Sequence, residues 1–527
     1  MGTSRLAAAV LVLGVALGVL WMAQSGAQHF VPRLNLDEPP LARVAPVISP
    51  AGPPLSRRVV LVIIDGLGAN AAHDLPALDL LRARGIDARA RSHFPTLSRP
   101  NYSAMLTGIE PRWSGVRTND YDHALPLDSL VARLQDAGRK SAYVADVSPA
   151  LPTMLPGWDD VRLVPWRSGL RAASLSALEG DAALVVYLFD AVDRAGHRSG
   201  ARSRAYREAA LGYDELIGQL AARLDPARDT LIVVADHGHT AVGGHGGLER
   251  DVVEVPLVLA GAGIARGAHI SDAQLADLAP TIAALLGVPV PGHALGRTLV
   301  EALALPQADR AALAFADGRR RAVLATGLVS PVADGLRRAG ELVGARVEAA
   351  VGVAALLILL GVFFQRRGVL SLRRSVVLAA GGSLIITAAG ICLVFADCLS
   401  SPSVPGGEAP FARFALLGAG LAIAHLGLAL AVARSTRADE RSAAVLGVAL
   451  AGALLATLFT GAANALSGAP LATRFFDPAA MIALPLLWSA GLFQAGAAAC
   501  VALFETFVLL RPAPISAEAP SGRRAAW

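Results

Sequence analysis

Residues 58–68 read Arg-Val-Val-Leu-Val-Ile-Ile-Asp-Gly-Leu-Gly, a mostly β-branched apolar run that ends in aspartate and glycine. A run that is apolar at every position, rather than at alternate ones, is typical of a strand covered on both faces of a parallel sheet. Further runs of this kind follow at Leu184–Phe189, Leu231–Ala235 and Val255–Ala260. The sequence from residue 58 to about 300 therefore predicts several buried strands.

Amphipathic stretches lie between these strands, for example at Leu127–Ala137 and Ala205–Leu224, and their spacing predicts helices. Buried strands that alternate with helices indicate an α/β fold with a mostly parallel sheet flanked by helices. Ligands bind such sheets at the carboxyl ends of the strands. Asp65 and Asp236 stand directly after two of the predicted strands, so we expect acidic groups to collect at that edge.

The composition indicates membrane segments and excludes several partners. Of 527 residues, 54% are hydrophobic and only 17% are charged, with a mean hydropathy of +0.51. Soluble domains carry roughly 25% charged residues. The basic residues are almost all arginine and form no run interleaved with aromatic residues, so the net charge of +5 does not indicate nucleic acid binding. All cysteines (Cys392, Cys398 and Cys500) lie in or beside apolar C-terminal stretches, so a metal elsewhere needs Asp, Glu, His or hydroxyl ligands.

Both ends of the chain carry apolar segments. A run from Leu6 to about Met22 follows Arg5 and predicts a signal anchor, with cleavage near Ser25-Gly26-Ala27 as the alternative. Further stretches long enough to span a bilayer lie at about 349–365, 375–396, 411–433, 443–467 and 478–510. Arginines concentrate in alternate loops of this region, which are therefore predicted to be cytoplasmic. The α/β domain is then extracytoplasmic, in a multi-pass protein of the cytoplasmic (inner) membrane.

These observations predict an ordered series of parts along the chain. They are an N-terminal signal anchor (1–30), a Pro-rich extended linker (31–57), an extracytoplasmic catalytic domain (58–300), a juxtamembrane connector (301–347), an all-α five-span membrane domain (348–511) and a cytoplasmic tail (512–527). The connector is helical in pattern and rich in alanine and arginine. We expect it to run along the membrane surface.

Segments of the α/β domain carry side chains suited to metal chemistry. In chain order they supply Asp65, Ser98, Asp193 with His197, Asp236 with His237, and His245. Asp193 and His197 are four residues apart and can share one face of a helix or one loop. Ser98 stands at the predicted start of a helix, where backbone N–H groups favour a phosphate, although it could also simply cap that helix. Together these oxygen and nitrogen ligands are enough for two adjacent divalent ions.

The order of these residues resembles the alkaline phosphatase superfamily, and more narrowly its type I phosphodiesterase/nucleotide pyrophosphatase branch. The segment Pro95-Thr-Leu-Ser-Arg-Pro-Asn101 is similar to the nucleophile segment of that branch, where Ser or Thr precedes one variable residue and Pro-Asn. The segment Asp236-His-Gly…His245-Gly also resembles the glycosylphosphatidylinositol (GPI) ethanolamine-phosphate transferases, which share the predicted membrane architecture. The resemblance covers about residues 58–299 and implies an alkaline-phosphatase-like sheet.

The resemblance also implies a role for each residue. One metal ion would be held by Asp65, Asp236, His237 and the Ser98 oxygen, and the other by Asp193, His197 and His245. Ser98 would be the nucleophile, and Asn101 would hydrogen-bond a phosphate oxygen. The family uses Zn²⁺ most often, and this ligand mix also suits Mn²⁺. His239 is assigned to the loop rather than to the ligands, and Asn119 is left open as a substrate contact or a plain turn residue.

The function most consistent with these expectations is that of a membrane-anchored phosphodiesterase or phosphotransferase with a covalent Ser98 intermediate. Water as the acceptor would make it a hydrolase, whereas an alcohol would make it a transferase, for example of the phosphoethanolamine type. A lipid- or glycan-linked substrate is attractive because five spans exceed what anchoring needs. One alternative is a phosphomonoesterase, in which Arg99 could clamp a dianion. Another is a non-catalytic membrane transport or scaffold protein, which the intact ligand set argues against.

Overall fold

The computed structural model describes residues 35–146, 148–165 and 169–334, together with residues 337, 355, 359, 362 and 366. The predicted N-terminal anchor, the cytoplasmic tail and nearly all of the predicted five-span domain lie outside these residues. Among the described residues, no helix combines the length and the apolar character that a membrane crossing requires.

The described chain alternates strands and helices. The strands are β1 Arg58–Ile64, β2 Ile86–Arg91, β3 Ser141–Ala145, β4 Asp160–Leu163, β5 Leu184–Phe189, β6 Asp229–Val234, β7 Glu254–Gly261 and β8 Ala273–Gln274. The helices are α1 Pro76–Arg84, α2 Ser98–Thr107, α3 Pro111–Ser114, α4 Leu130–Asp136, α5 Ala150–Met154, α6 Leu170–Ala177, α7 Ala191–Ser199, α8 Arg204–Arg223, α9 Arg250–Val253, α10 Leu278–Leu286 and α11 Gln307–Gly327. Short 3-10 turns add Pro40–Arg43, Leu275–Asp277 and Val300–Ala302.

The strands form a mixed sheet in the order β4-β3-β5-β1-β6-β7-β2-β8. β1 is central, runs parallel to both β5 and β6, and is buried along its whole length. Its last residue, Ile64, lies opposite Phe189 of β5, and Ile63 lies opposite Val234 of β6. The carboxyl ends of these strands therefore share one edge, which confirms the predicted α/β fold with a mostly parallel sheet flanked by helices.

Strand β7 departs from the parallel arrangement, because it pairs antiparallel with both β6 and β2. The sequence does not reveal this direction, since an interior strand is apolar throughout in either orientation. Strand β2 was also not predicted. It reads Ile-Asp-Ala-Arg-Ala-Arg and is buried at alternate positions only, so its arginines reach solvent and dilute the apolar signal.

The described segments on both sides of the predicted catalytic domain pack against it. The described part of the linker is not a free extended chain, because Leu41 is fully buried and the Val47 amide donates to the Gly292 carbonyl at 2.8 Å. In α11, Asp317 and Arg320 are buried and form an ion pair at 2.7 Å. The Asp317 carboxylate also accepts from the Thr298 amide at 3.1 Å, so this part of the predicted connector belongs to the same packed body.

Candidate metal centre

Two groups of metal-ligating side chains lie at the carboxyl edge of the sheet. One group consists of Asp65, Asp236 and His237, and the other of Asp193, His237, His239 and His245. Within each group the candidate ligand atoms all lie within 4.8 Å of one another. The long-range fold thus brings together residues that are up to 180 positions apart, because β1, β6 and α7 meet at this edge.

The first group joins the ends of β1 and β6. His237 Nε2 lies 3.5 Å from Asp65 Oδ1 and 3.2 Å from Asp236 Oδ2. The Gly66 amide donates to Asp236 Oδ1 at 3.0 Å, and the Tyr102 hydroxyl donates to Asp65 Oδ2. Among the described residues, Asp65 Oδ1 and Asp236 Oδ2 are buried without a hydrogen-bond partner. Each carboxylate therefore has one oxygen fixed by the protein and one free to hold a cation.

Burial governs the protonation of this group. Desolvation, together with the charges of Asp236 and Asp193, raises the pKa of Asp65 well above its usual range. Burial likewise raises the pKa of Asp236 to about 7, and it lowers the pKa of His237 to about 3. Crowded carboxylates beside a neutral imidazole are costly to bury without a counter-charge, so this donor set fits a divalent cation.

Gly66 allows the first strand to end against the helix that carries the second group. Its φ is +76°, and a Cβ at this position would lie 2.8 Å from the Asp193 Cα. Only glycine tolerates both the left-handed backbone and this close approach. The turn Asp65-Gly66 therefore determines how closely the two ligand groups can lie.

The second group includes one turn of α7 and the glycine-rich loop after β6. Asp193 and His197 do share one helical face, with His197 Nε2 3.3 Å from Asp193 Oδ2. His245 Nδ1 donates to the Thr96 carbonyl at 2.8 Å, which leaves its Nε2 as a lone-pair atom 3.1 Å from His197 Nε2. Burial holds the pKa of His245 well below its usual range, so the ring is neutral and able to bind a metal.

Asp193 is the charged member of this group. Its burial would raise the pKa, but hydrogen bonds from His197 and His239 hold the pKa of Asp193 well below its usual range. The same contact with Asp193 raises the pKa of His197. Asp193, His197 and His245 thus present one carboxylate and two imidazoles to a common point, which suits zinc or manganese.

His239 has a role that the sequence analysis missed. Its Nδ1 accepts from the Gly244 amide at 3.2 Å, so the proton is on Nε2, which donates to Asp193 Oδ1 at 2.8 Å. The ring is 1% exposed and has no spare lone pair in this arrangement. We therefore assign His239 as a partner that orients Asp193 rather than as a ligand. The sequence feature that could have indicated this role is the position of His239, two residues after His237 in the same glycine-rich turn.

Replacing His239 with alanine is expected to weaken the second metal site. Loss of an orienting partner typically lowers metal affinity roughly 10- to 100-fold. Competitive zinc titration with a chromophoric chelator would measure this as one weakened site and one unchanged site. His73→Ala is the matched control, because the His73 side chain is 80% exposed and contacts only Asp74. Equal zinc affinity in the His239 variant and the wild type would contradict this role.

Ser98 is the first residue of α2 and follows the N-cap residue Leu97, whose side chain cannot cap the helix. Its half-buried Oγ lies 3.4 Å from His237 Nε2. The hydroxyl therefore points at the first ligand group while its backbone begins a helix of 10 residues. A phosphate beside this hydroxyl would also meet the positive end of the helix dipole.

Asn101, the residue expected to contact a phosphate oxygen, hydrogen-bonds the backbone of the segment that leads into α2. The side chain is fully buried, and Oδ1 accepts from the His93 amide at 2.9 Å. Its Nδ2 contacts the carbonyls of His93, Pro95 and Leu97 at 2.9–3.1 Å. Both amide atoms are thus used on the backbone that leads into α2. These contacts position the segment that carries Ser98.

Asn119 is the asparagine that reaches the Ser98 region from outside. Its exposed side chain accepts from the Arg99 amide through Oδ1 at 3.0 Å, directly after Ser98 in α2. Within the described residues, no protein acceptor is recorded for its Nδ2. Of the two readings left open for Asn119, this geometry favours the substrate contact.

A comparison with protein families matches the part of the chain that carries most of this site. Residues 59–255 match the family described as type I phosphodiesterase/nucleotide pyrophosphatase. The match lies within the predicted catalytic domain. The predicted placement in the phosphodiesterase branch of the alkaline phosphatase superfamily is therefore confirmed.

Curated relatives align with less than half of the chain. The human GPI ethanolamine phosphate transferase 2 catalytic subunit is 26% identical over 275 residues, which cover 47% of this chain and 28% of the relative. The human GPI ethanolamine phosphate transferase 3 catalytic subunit is 26% identical over 282 residues, covering 46% and 26%. A 2,3-bisphosphoglycerate-independent phosphoglycerate mutase of Roseobacter denitrificans is 28% identical over 254 residues, covering 40% and 49%. The chain thus spans about a quarter of the length of either human relative.

Solved structures with a similar arrangement are more distant in sequence. Murine ectonucleotide pyrophosphatase/phosphodiesterase 5 superposes with a TM-score of 0.40 at 14% identity, over 44% of this chain and 96% of that chain. Alkaline phosphatase PafA superposes with a TM-score of 0.41 at 11% identity, over 48% of this chain and 100% of that chain.

Proposed function

We propose that the chain is a membrane-anchored, two-metal phosphodiesterase or phosphotransferase that works through a covalent Ser98 intermediate on the extracytoplasmic face. The observation that carries the proposal is the position of Ser98 Oγ, 3.4 Å from His237 Nε2 and next to two buried carboxylates that each keep one unpartnered oxygen. A hydroxyl in such a place is suited to become a nucleophile once a cation is bound.

The proposed ligand sets draw on the two groups described above, with His197 added beside Asp193 and with His239 kept as the partner that orients Asp193. Asp65, Asp236, His237 and Ser98 would hold one ion, and Asp193, His197 and His245 would hold the other. Zinc or manganese bound there would lower the pKa of the Ser98 hydroxyl and compensate the negative charge of the leaving oxygen. The unpartnered carboxylate oxygens and the lone pair of His245 support this assignment.

The residues of the chain itself bind and orient the phosphoester. The Ser98 hydroxyl gives up its proton to solvent, and Oγ attacks phosphorus. The bond from phosphorus to the leaving oxygen breaks on the opposite side, and the alkoxide takes a proton from water to leave as an alcohol. The Asn119 Nδ2 group would donate to a non-bridging oxygen, held in place by the bond from the Arg99 amide to its Oδ1.

The second half-reaction releases the phosphoryl group from Ser98. Attack by water gives hydrolysis, whereas attack by an alcohol gives transfer. The similarity to two human GPI ethanolamine phosphate transferases favours a phosphoethanolamine-type transfer to a lipid-linked or glycan-linked acceptor. Both outcomes require the same residues around Ser98, so the acceptor is the feature that separates them.

The N-terminal segment supports a substrate at the membrane surface. Residues 23–34 separate the apolar run that ends at about Met22 from Asn35, whose side chain bonds to the loop that carries Asn119. An extended chain spans at most about 3.6 Å per residue, so this separation is at most about 45 Å. The catalytic edge would then lie near the bilayer, within reach of a lipid-linked phosphoester.

The phosphomonoesterase alternative is less well supported. A dianionic monoester calls for a free cationic clamp beside the nucleophile. Arg99 was the candidate for this role, but its Nη1 donates to the Tyr121 carbonyl. Its guanidinium is thus partly engaged in holding the neighbouring loop.

Turnover of matched substrates tests the proposed function. Detergent-purified full chain is assayed with zinc or manganese on a chromogenic phosphodiester and on the corresponding monoester, with Ser98→Ala as the control. Preference for the diester, lost in the control, is the expected result. Preference for the monoester would favour the phosphomonoesterase alternative. Absence of both turnover and bound metal would overturn the enzymatic proposal.

A further inference from the structure

The loop of residues 115–121, here called the Asn119 loop, is held from the N-terminal side by Asn35. Asn35 Oδ1 accepts from the Arg117 amide at 2.8 Å and from the Thr118 amide at 3.0 Å. Its Nδ2 donates to the Thr118 hydroxyl at 2.8 Å. One side chain therefore uses both its acceptor and its donor on consecutive residues of the loop.

The same loop is fastened on its other side to the start of α2. Asn119 Oδ1 accepts from the Arg99 amide at 3.0 Å, and Arg99 Nη1 donates to the Tyr121 carbonyl. Arg99 directly follows Ser98. A continuous set of hydrogen bonds thus joins Asn35 to the residue beside the nucleophile, through the Asn119 loop.

The backbone of the N-terminal segment at Leu36 packs closely against the backbone of the Asn119 loop at Gly115. The Leu36 amide donates to the Gly115 carbonyl at 2.9 Å. Gly115 has φ +81°, and a Cβ there would lie 2.5 Å from the Leu36 carbonyl oxygen. Only glycine fits this contact, so the N-terminal segment and the loop meet in a defined register rather than by loose apposition.

We propose that Asn35 is a positioning residue for catalysis, which acts by holding the Asn119 loop so that the Asn119 amide meets the phosphoester at Ser98. This inference rests on the proposed function. Arg117 and Thr118 are only 2% and 4% exposed, so their amides would lose a buried acceptor if the Asn35 side chain were removed. The loop would then shift to recover hydrogen bonds, and Asn119 would shift with it.

The residue type at position 35 is specific to this task. An asparagine supplies an acceptor to two amides and a donor to a hydroxyl from one rigid group. An aspartate keeps the acceptor and can accept from the Thr118 hydroxyl instead, so it should restore most of the function. An alanine supplies neither. Asn35→Asp is therefore the conservative variant and Asn35→Ala the disruptive one.

A double-mutant cycle on the full chain tests the proposal. Asn35→Ala, Asn119→Ala and the double variant are compared in kcat and KM on the chromogenic phosphodiester with zinc. Asn35→Ala is expected to lower kcat about tenfold, because small displacements of an orienting group reduce the rate strongly. The double variant should be no slower than Asn119→Ala alone, because Asn35 acts through Asn119. Asn35→Asp should recover most of the rate.

Controls separate positioning from general stability. Glu38→Ala changes an exposed residue of the same segment that bonds to Arg43, and it should leave kcat unchanged. Hydrogen exchange should increase at residues 115–121 in Asn35→Ala while bound zinc stays equal to that of the wild type.

The outcomes distinguish a failure of the role of Asn35 from a failure of the proposed function. If the wild type cleaves the diester, either of two results would overturn the role of Asn35. One is an unchanged kcat in Asn35→Ala. The other is a double variant whose loss of kcat equals the product of the two single losses. A wild type that binds metal but cleaves neither diester nor monoester would instead count against the proposed function, and the inference on Asn35 would fall with it.

Discussion

Replacing Ser98 with alanine is expected to lower kcat on a phosphodiester by at least about 10³-fold, because the attacking oxygen is lost. The Ser98 side chain lies at the first turn of α2 and faces His237 at 3.4 Å, so we expect the helix itself to persist. Metal content should fall only slightly, since Asp65, Asp236 and His237 remain. Steady-state kinetics together with metal analysis of the purified variant measure both effects.

Ser103→Ala is the matched control for this experiment. Ser103 lies on the same helix and is fully buried, and its hydroxyl donates to the Pro100 carbonyl at 2.8 Å, away from the ligand groups. Its variant should retain activity within roughly threefold, since one helix-internal hydrogen bond contributes little. A Ser98 variant that is as active as the Ser103 variant would contradict the assignment of the nucleophile.

Replacing Asp65 with asparagine is expected to remove one metal ion and at least about 100-fold of the activity. The change eliminates a charged ligand, and even partners outside the ligand set typically account for 10- to 100-fold in metal affinity or activity. The Tyr102 hydroxyl can still donate to the remaining amide oxygen, so the local packing should survive. Zinc stoichiometry by elemental analysis and the rise in Tm on zinc addition measure the loss of one site.

Asp74→Asn is a suitable control for Asp65→Asn, because the Asp74 side chain is 71% exposed and contacts only His73. It should bind the same amount of zinc as the wild type and keep the same kcat. Two bound ions and full activity in Asp65→Asn would show that Asp65 is not a metal ligand.

The features predicted from sequence were those encoded by local pattern. The runs at Leu184–Phe189 and Val59–Ile64 match β5 and β1 to within one residue, because strands buried on both faces are apolar throughout. The gathering of acidic and histidine residues at one edge followed from a general property of parallel sheets. Asp193 and His197 are on one helical face, as their spacing allowed.

The features that were missed depend on contacts between distant segments. The reversed direction of β7 and the packing of residues 35–47 on the domain leave no periodic trace in the sequence. Asn101 matches the family segment and uses its amide on the backbone, whereas Asn119 contacts the Arg99 amide from a loop 20 positions further along the chain. The sequence does not show that His239 Nδ1 accepts from the Gly244 amide, and this bond uses the lone pair that a metal ligand would need.

The stereochemical course at phosphorus tests the covalent role of Ser98 most directly. A phosphorothioate diester of known configuration is turned over by the zinc-loaded full chain, and the product configuration is determined by ³¹P NMR after isotopic labelling of the acceptor oxygen. Attack by Ser98 followed by attack of the acceptor inverts phosphorus twice, so net retention is expected. Net inversion would show a single direct displacement and would contradict a covalent intermediate on Ser98.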